Sequence, residues 1–267
     1  MLQLDRAKVQ DPTQTSKVQP MGGQSNAPVS GITRPEGSAL ALASLDEFPG
    51  TLAQKTYGSL KQAILSLHLK PGEVLRKPEI CQQLGVSRSP VAEALARLAV
   101  EGLVDVVPQA GTFVARFSLE EIREGAFLRE ALELATVELL ATTITNEQLV
   151  LLRRNLRIQA ALVSDGDFPG FYQMDGQMHE LMMSFTGFKR LPQIAETSWV
   201  HVDRARQLIL PQPGRVQATL EEHEAILNAL EQRDAQAARD ATRHHLRQLI
   251  ALLEPMMRSK PELFVSL

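Results

Sequence analysis

Between Thr51 and Arg116 the chain is punctuated so closely by helix starts and stops that few folds can accept it. Leu52, Tyr57, Leu60, Ile64 and Leu67 are spaced to form one apolar face of a first helix, which Lys70-Pro71-Gly72 ends. Pro78 suits the first turn of a second helix, Ile80 and Leu84 supply its buried side, and Gly85 closes it after about two turns. A tight turn follows. Ser89 is then placed to cap a third helix and Pro90 to start it, with Val91, Leu95 and Leu98 facing inward and Gly102 as its stop. Leu103 to Val107 and Thr112 to Arg116 read as two strands joined by the Pro108-Gln109-Ala110-Gly111 turn. Three short helices and a β-hairpin make a winged helix-turn-helix, expected over residues 51–117.

Beyond Phe117 the pattern becomes almost wholly helical. Ser118-Leu119-Glu120-Glu121 and Thr145-Asn146-Glu147-Gln148 are capping-box sequences, and Asp167 and Asp234 are placed to cap two later helices. With no repeat of solenoid period, residues 118–260 are expected to form one antiparallel all-α bundle of six or seven helices. The fold class is therefore mainly α. Residues 1–45, rich in Gln, Ser, Gly and Pro and without periodicity, read as a disordered tail. An arm that folds on a partner is the alternative for that segment.

A net charge of −3 argues against a polyanion-binding surface until it is divided along the chain. Residues 51–117 carry eight basic against five acidic side chains, whereas the chain after them is acidic. The helix-turn-helix segment is thus the one place where a phosphate-contacting surface is favoured. Cys81, the only cysteine, excludes an intrachain disulfide and fits a reducing compartment. It reads as a small semi-buried residue, with redox sensing as the alternative. No apolar run approaches the roughly 18 to 20 residues of a membrane span, and no apolar segment follows a basic start, so a cytoplasmic location with no membrane partner is expected.

Leu69-Lys70-Pro71-Gly72-Glu73, Leu84-Gly85-Val86-Ser87-Arg88-Ser89-Pro90-Val91 and Glu101-Gly102-Leu103-Val104 together resemble the GntR family of transcription regulators. The helical remainder resembles the FCD effector domain of that family's FadR branch. The resemblance implies a homodimer that binds double-stranded operator DNA through the start of its third helix. Arg88 there has the side chain suited to bidentate contact with guanine, and Ser87 and Ser89 can bond phosphates or bases. A phosphate-only role for Arg88 is the alternative. At the wing tip Gly111 permits close approach of backbone to the minor groove. Two positions depart from the family pattern, since Pro78 and Ala92 stand where similar proteins carry DNA-contacting arginines. Arg76 and Lys77 are candidates to replace the first; Ala92 has no evident replacement. The DNA-binding role transfers on this resemblance, but the usual operator sequence does not.

In the second segment four polar groups fall on apolar helix stripes. Asp175 and His179, four residues apart, lie beside Phe171, Met178, Met182 and Phe185. His223 is in line with Leu220, Leu227 and Leu230, and His245 with Ala238, Ala241, Leu249 and Leu252. One inward histidine is ordinarily a hydrogen-bonded core residue. Four such groups also match the FCD pattern of one Asp and three His, which implies a divalent transition metal, zinc first, with nickel or manganese as alternatives. His68, His201 and His244 lack this placement.

A sensor for a small carboxylate needs a cation. The resemblance places Arg129 near an effector cavity, although Glu133 one turn away accounts for it equally as a helix-face ion pair. Arg204 and Arg206, near Trp199 and His201, are weaker candidates for the same task. Three functional readings follow: a metabolite-responsive regulator, a regulator whose metal is structural or is itself the signal, and a metal-dependent hydrolase. The last lacks a His-Glu-x-x-His pattern or a nucleophile motif and leaves the winged helix unexplained, so no enzymatic activity is expected.

Overall fold

The computed structural model describes residues 40–265, apart from the side chains of Glu196 and Thr197. The tail expected over residues 1–45 therefore lies outside the described residues up to position 39. Residues 40–45 depart from that expectation: they pack on the head. Leu40 is buried, its backbone bonds both polar atoms of the Gln83 side chain, and Ser59 Oγ donates to the Ala43 carbonyl at 2.8 Å. A 3-10 turn, Leu45–Glu47, then leads to the first helix under a Ser44 capping box.

Helix α1 (Leu52–Leu65) starts on a reciprocal capping box between Thr51 and Gln54 and buries Tyr57, Leu60, Ala63 and Ile64. Leu52, expected on that apolar face, is exposed. Helix α2 (Lys77–Leu84) has proline in its first turn and ends on Gly85, whose φ of 65° is the left-handed stop that glycine adopts without strain. Helix α3 (Arg88–Val100) begins earlier than its proline signalled. Ser87, not Ser89, holds the N-cap position and makes no side-chain cap bond, while Ser89 and Pro90 lie inside the first turn. Proline is tolerated there because first-turn N–H groups have no intrahelical partner to lose.

Strands β1 (Val104–Val107) and β2 (Gly111–Val114) pair antiparallel from Val104↔Val114 to Val107↔Gly111. A third segment completes the wing: Val74 bridges Phe113, and Gly72 and Leu75 donate to the Val114 and Thr112 carbonyls, each at 2.8 Å. Leu60, Ile64, Ile80, Leu95, Leu98 and Leu103 close the head's core. Each fully buried aliphatic side chain contributes about 1.5–3 kcal/mol to that core.

Seven helices follow among the described residues: α4 (Leu119–Thr143), α5 (Asn146–Asp165), α6 (Phe168–Phe185), α7 (Leu191–Ser198), α8 (Val200–Ile209), α9 (Arg215–Glu231) and α10 (Ala235–Ser259). The N-caps are those the sequence marks. Ser118, Asp167 and Asp234 each accept one first-turn N–H, and Thr145 forms a full capping box with Gln148. Helix α10 packs on α4 and α9, and α5 on α6 and α9, around Phe171, Met178, Ile226 and Leu230. The polar residues on the apolar stripes of α6, α9 and α10 thereby converge inside the bundle. No helix among the described residues is long and apolar enough to cross a membrane.

Candidate functional site

Asp175 and His179 of α6, His223 of α9 and His245 of α10 meet in the bundle, all buried, with one potential ligand atom from each within 4.8 Å of all the others. What surrounds them fixes their chemistry. His179 Nδ1 lies 2.6 Å from Glu133 Oε2 and His245 Nδ1 2.7 Å from Glu222 Oε2. A carboxylate only accepts, so both Nδ1 atoms carry the proton. His223 Nδ1 lies 2.8 Å from Gln159 Oε1, and the Gln159 amide is oriented by its own donation to Asn155 Oδ1 at 2.7 Å. This Nδ1 also donates.

All three imidazoles therefore turn an Nε2 lone pair toward a common centre. His245 Nε2 is 3.3 Å from His179 Nε2, His223 Nε2 is 3.2 Å from Asp175 Oδ1, and His179 Nε2 is 3.5 Å from the same oxygen. Neither Asp175 Oδ1 nor His223 Nε2 has a hydrogen-bond partner among the described residues. Acceptors facing acceptors in a buried space are costly unless a cation lies among them. An ion held at about 2.0–2.2 Å by each donor requires donors roughly 3–4 Å apart, and the three separations just given fall in that range. Burial also pushes the pKa of His223 and of His245 well below the ordinary histidine value, which favours the neutral imidazole that binds metals.

A second ring of charge stands behind the first. Burial opposes ionisation of Glu133, but His179 and Arg129 outweigh it and hold the carboxyl well below its usual range. Arg129 Nε donates to Glu133 Oε1 at 2.6 Å and its guanidinium lies 5.0 Å from the Trp199 ring centre. On the other side Arg215 grips both oxygens of Glu222 at 2.8 and 2.5 Å. Two histidines are thus each backed by a carboxylate and that carboxylate by an arginine. Such second-layer partners orient metal-binding imidazoles and raise their basicity. Arg206 is paired with Asp175 Oδ2, leaving Oδ1 toward the centre, and burial followed by the charge of Arg129 brings its guanidinium down to about 10.

Arg129, Asp175, Arg206, Arg215, Thr219 and His245 line a cavity of about 30 Å³ beside the cluster, enough for an ion and a water or two. Arg129 makes the ion pair with Glu133 that its helix spacing suggests, and that pair is buried at the cavity. Arg204 is a correction: it does not line this cavity. It is fully buried at the junction with the head, donates to the Ala115 carbonyl at 2.6 Å and stacks on Phe117 with 4.5 Å to the ring centre. Of the two arginines, Arg206 reaches the cavity because it lies on the opposite face of α8. Sequence reasoning did not find Arg215, Glu222 or Gln159. Arg215 and Glu222, seven apart and so on one face of α9, carried a signal for each other, but nothing local marks Gln159. His244 is exposed, as its register on α10 requires.

On the head, Ser87, Arg88 and Ser89 are all exposed at the start of α3, and Ala92 is exposed one turn beyond Arg88 on the same side. Arg76 at the N-cap of α2 pairs with Glu79 at 3.1 Å, and Lys77 and Pro78 beside it are exposed. Gly111, exposed at the wing, has a φ of 134°. A Cβ there would meet only the Phe113 ring at 3.7 Å, so backbone conformation rather than space demands glycine.

Residues 52–114 match the gntR family of bacterial regulatory proteins and residues 124–248 match the FCD domain. The chain is 35% identical over 210 residues to an HTH-type transcriptional regulator in an unstable DNA locus of Streptomyces ambofaciens, a match covering 79% of this chain and 88% of that protein. It is 30% identical over 196 residues to the HTH-type transcriptional repressor RspR of Escherichia coli K12, covering 73% and 86% respectively. The fold is shared with E. coli McbR/YncC at a TM-score of 0.66 and 24% identity, over 78% of this chain and 99% of that one.

Proposed function

The chain belongs to the GntR family of DNA-binding transcription regulators, with an FCD effector domain behind its helix-turn-helix and no enzymatic role, and from this we infer how it senses and reads. It acts in the cytoplasm as a homodimer. Residues 51–117 of each protomer read one half of a double-stranded operator, and residues 118–260 provide dimerisation and bind a small organic acid through a divalent transition metal, zinc first. The observation that supports this reading is the inward turn of three Nε2 lone pairs toward a centre shared with Asp175 Oδ1, with every Nδ1 already committed. A bound divalent ion supplies positive charge with coordination positions open to water or a carboxylate. Arg206, Arg129 and Arg215, which line the same cavity, then hold the remainder of the acid. Ligand acts only through a difference in affinity between arrangements of the two heads.

Metal analysis of the purified chain, followed by thermal shift against a panel of organic acids, tests this. About one equivalent of metal per protomer is expected, with one or more acids raising Tm only in the metal-loaded protein. A metal-loaded protein indifferent to every acid would favour the reading in which the metal is structural or is itself the signal.

On the head, Arg88, Ser87 and Ser89 serve base and phosphate contact, Arg76 and Lys77 phosphate contact, and Gly111 the wing's approach to the minor groove. Ala92 lies where an arginine would reach the same duplex. Ala92→Arg is expected to tighten binding and steepen the salt dependence, by about 0.9 in log–log slope for each phosphate neutralised. An unchanged slope in a salt titration would place position 92 away from the backbone.

A further inference from the structure

Helix α8 has two working faces. Val202, Arg206 and Ile209, spaced four and three apart, line the cavity beside the histidine cluster. Val200, His201 and Arg204 point the other way, into the head. Val200 is buried in the head's own hydrophobic core. His201 Nε2 donates to the Glu101 carbonyl at 3.1 Å, at the C-cap of α3. Its ring also packs on Gly102, where an added Cβ would stand 3.1 Å from two ring atoms. Glu101 is itself a junction, because its side chain accepts from the Tyr57 hydroxyl at 2.5 Å and from Lys61 at 2.9 Å, both on α1.

Three residues further along, Arg204 holds the linker between head and bundle through the Ala115 carbonyl and the Phe117 ring. That linker has little freedom of its own. Phe117 N–H donates to the Leu263 carbonyl, Val265 N–H to the Phe117 carbonyl, and Arg116 to the Glu262 carbonyl, so the C-terminal segment clamps it. The start of α8 is equally constrained: a Cβ at Gly125 of α4 would lie 3.1 Å from the Ser198 carbonyl and from Val202. A ten-residue helix gripped at both faces moves as one piece. Whatever shifts Arg206 therefore shifts His201 and Arg204. Arg206 is tied to Asp175, one of the four converging groups, and to Asp203 at 3.2 Å.

We propose that α8 transmits occupancy of the buried cluster to the DNA-reading head, and that His201 and Arg204 are the positioning residues through which it does so. The proposal rests on the metal reading given above. Its physical content is short-range: a closely packed helix joins two sites, so a sub-ångström change at one face is carried to the other instead of being absorbed. A rival route exists through α4, which starts at the linker and carries Arg129 and Glu133. The experiment must separate the two.

Hydrogen–deuterium exchange of the full chain, with zinc ions or with chelator, makes the separation, after zinc uptake by each variant has been measured. In the native protein zinc is expected to slow exchange in α8 and also in residues 98–117, which include the end of α3, β1 and the linker. His201→Ala should take up zinc and keep the slowing in α8, yet lose most of it in residues 98–104. His201→Gln, which retains a donor for the Glu101 carbonyl, should restore it. Arg204→Met should lose the response at residues 115–117; if that buried substitution prevents folding, the half-buried His201 pair carries the test alone. A head response undiminished in His201→Ala assigns the coupling to α4 and overturns the proposal. So does a native protein that binds zinc without any change in the head. Failure of the native chain to take up zinc overturns the metal reading itself, and is seen before exchange is measured.

Discussion

Arg88→Ala is expected to weaken operator binding by about a thousandfold. The side chain is exposed at the first position of α3, where a helix docked in the major groove brings its leading residues to the base edges. One bidentate guanine contact is worth about 1–3 kcal/mol, so two half-sites together lose about 4 kcal/mol, which is three orders of magnitude in Kd. A titration of the native operator at fixed salt measures this, and a panel of operator variants shows its origin. Loss of discrimination at one base pair per half-site identifies a base contact. Equal weakening on all sequences, with a shallower salt slope, identifies a phosphate contact instead. A footprint unchanged from the native protein would rule out the docking of α3 altogether.

Removing the metal should be the largest single change to the bundle. An ion bound only by the folded state stabilises it by about 4 kcal/mol at a thousandfold excess over its Kd, so chelator should lower Tm of the native protein by roughly 10 °C. His223→Ala and His245→Ala should each bind little metal and hardly respond to chelator. Both also lose stability by leaving space in a packed interior, so the response to chelator, rather than Tm itself, is the informative quantity. His244→Ala, altering an exposed neighbour on the same helix, should respond like the native protein. A chain without stoichiometric metal, whose Tm is unmoved by zinc, nickel or manganese, would falsify the site and leave three packed core histidines.

These expectations draw unequally on sequence and on tertiary structure. The winged helix-turn-helix was legible because its signals are local. A proline or a glycine determines what its own backbone can do, and Gly85 at φ 65° ends α2 whatever packs around it. Helix caps are local for the same reason, and Thr145, Asp167 and Asp234 all sit where their side chains meet the free N–H groups of the next turn. The inward direction of Asp175, His179, His223 and His245 was likewise set by helical period. Where a local signal competes with another, it fails by a residue or two, as at α3, which starts at Arg88 and accommodates Pro90 inside its first turn.

Only the tertiary structure decided which groups face one another. Gln159 reaches His223 across 64 positions and Glu133 reaches His179 across 46, and no spacing within one helix encodes either contact. Leu40 joined the head instead of a tail because a buried site beside Gln83 was available to it. Arg204 and Arg206 show the limit most clearly. Two residues apart on one helix, they look equivalent as letters, yet about 200° of helical rotation sends one to the linker and the other to the cavity. The period of a helix specifies which residues share a face, while the packing of that helix against its neighbours determines what each face meets.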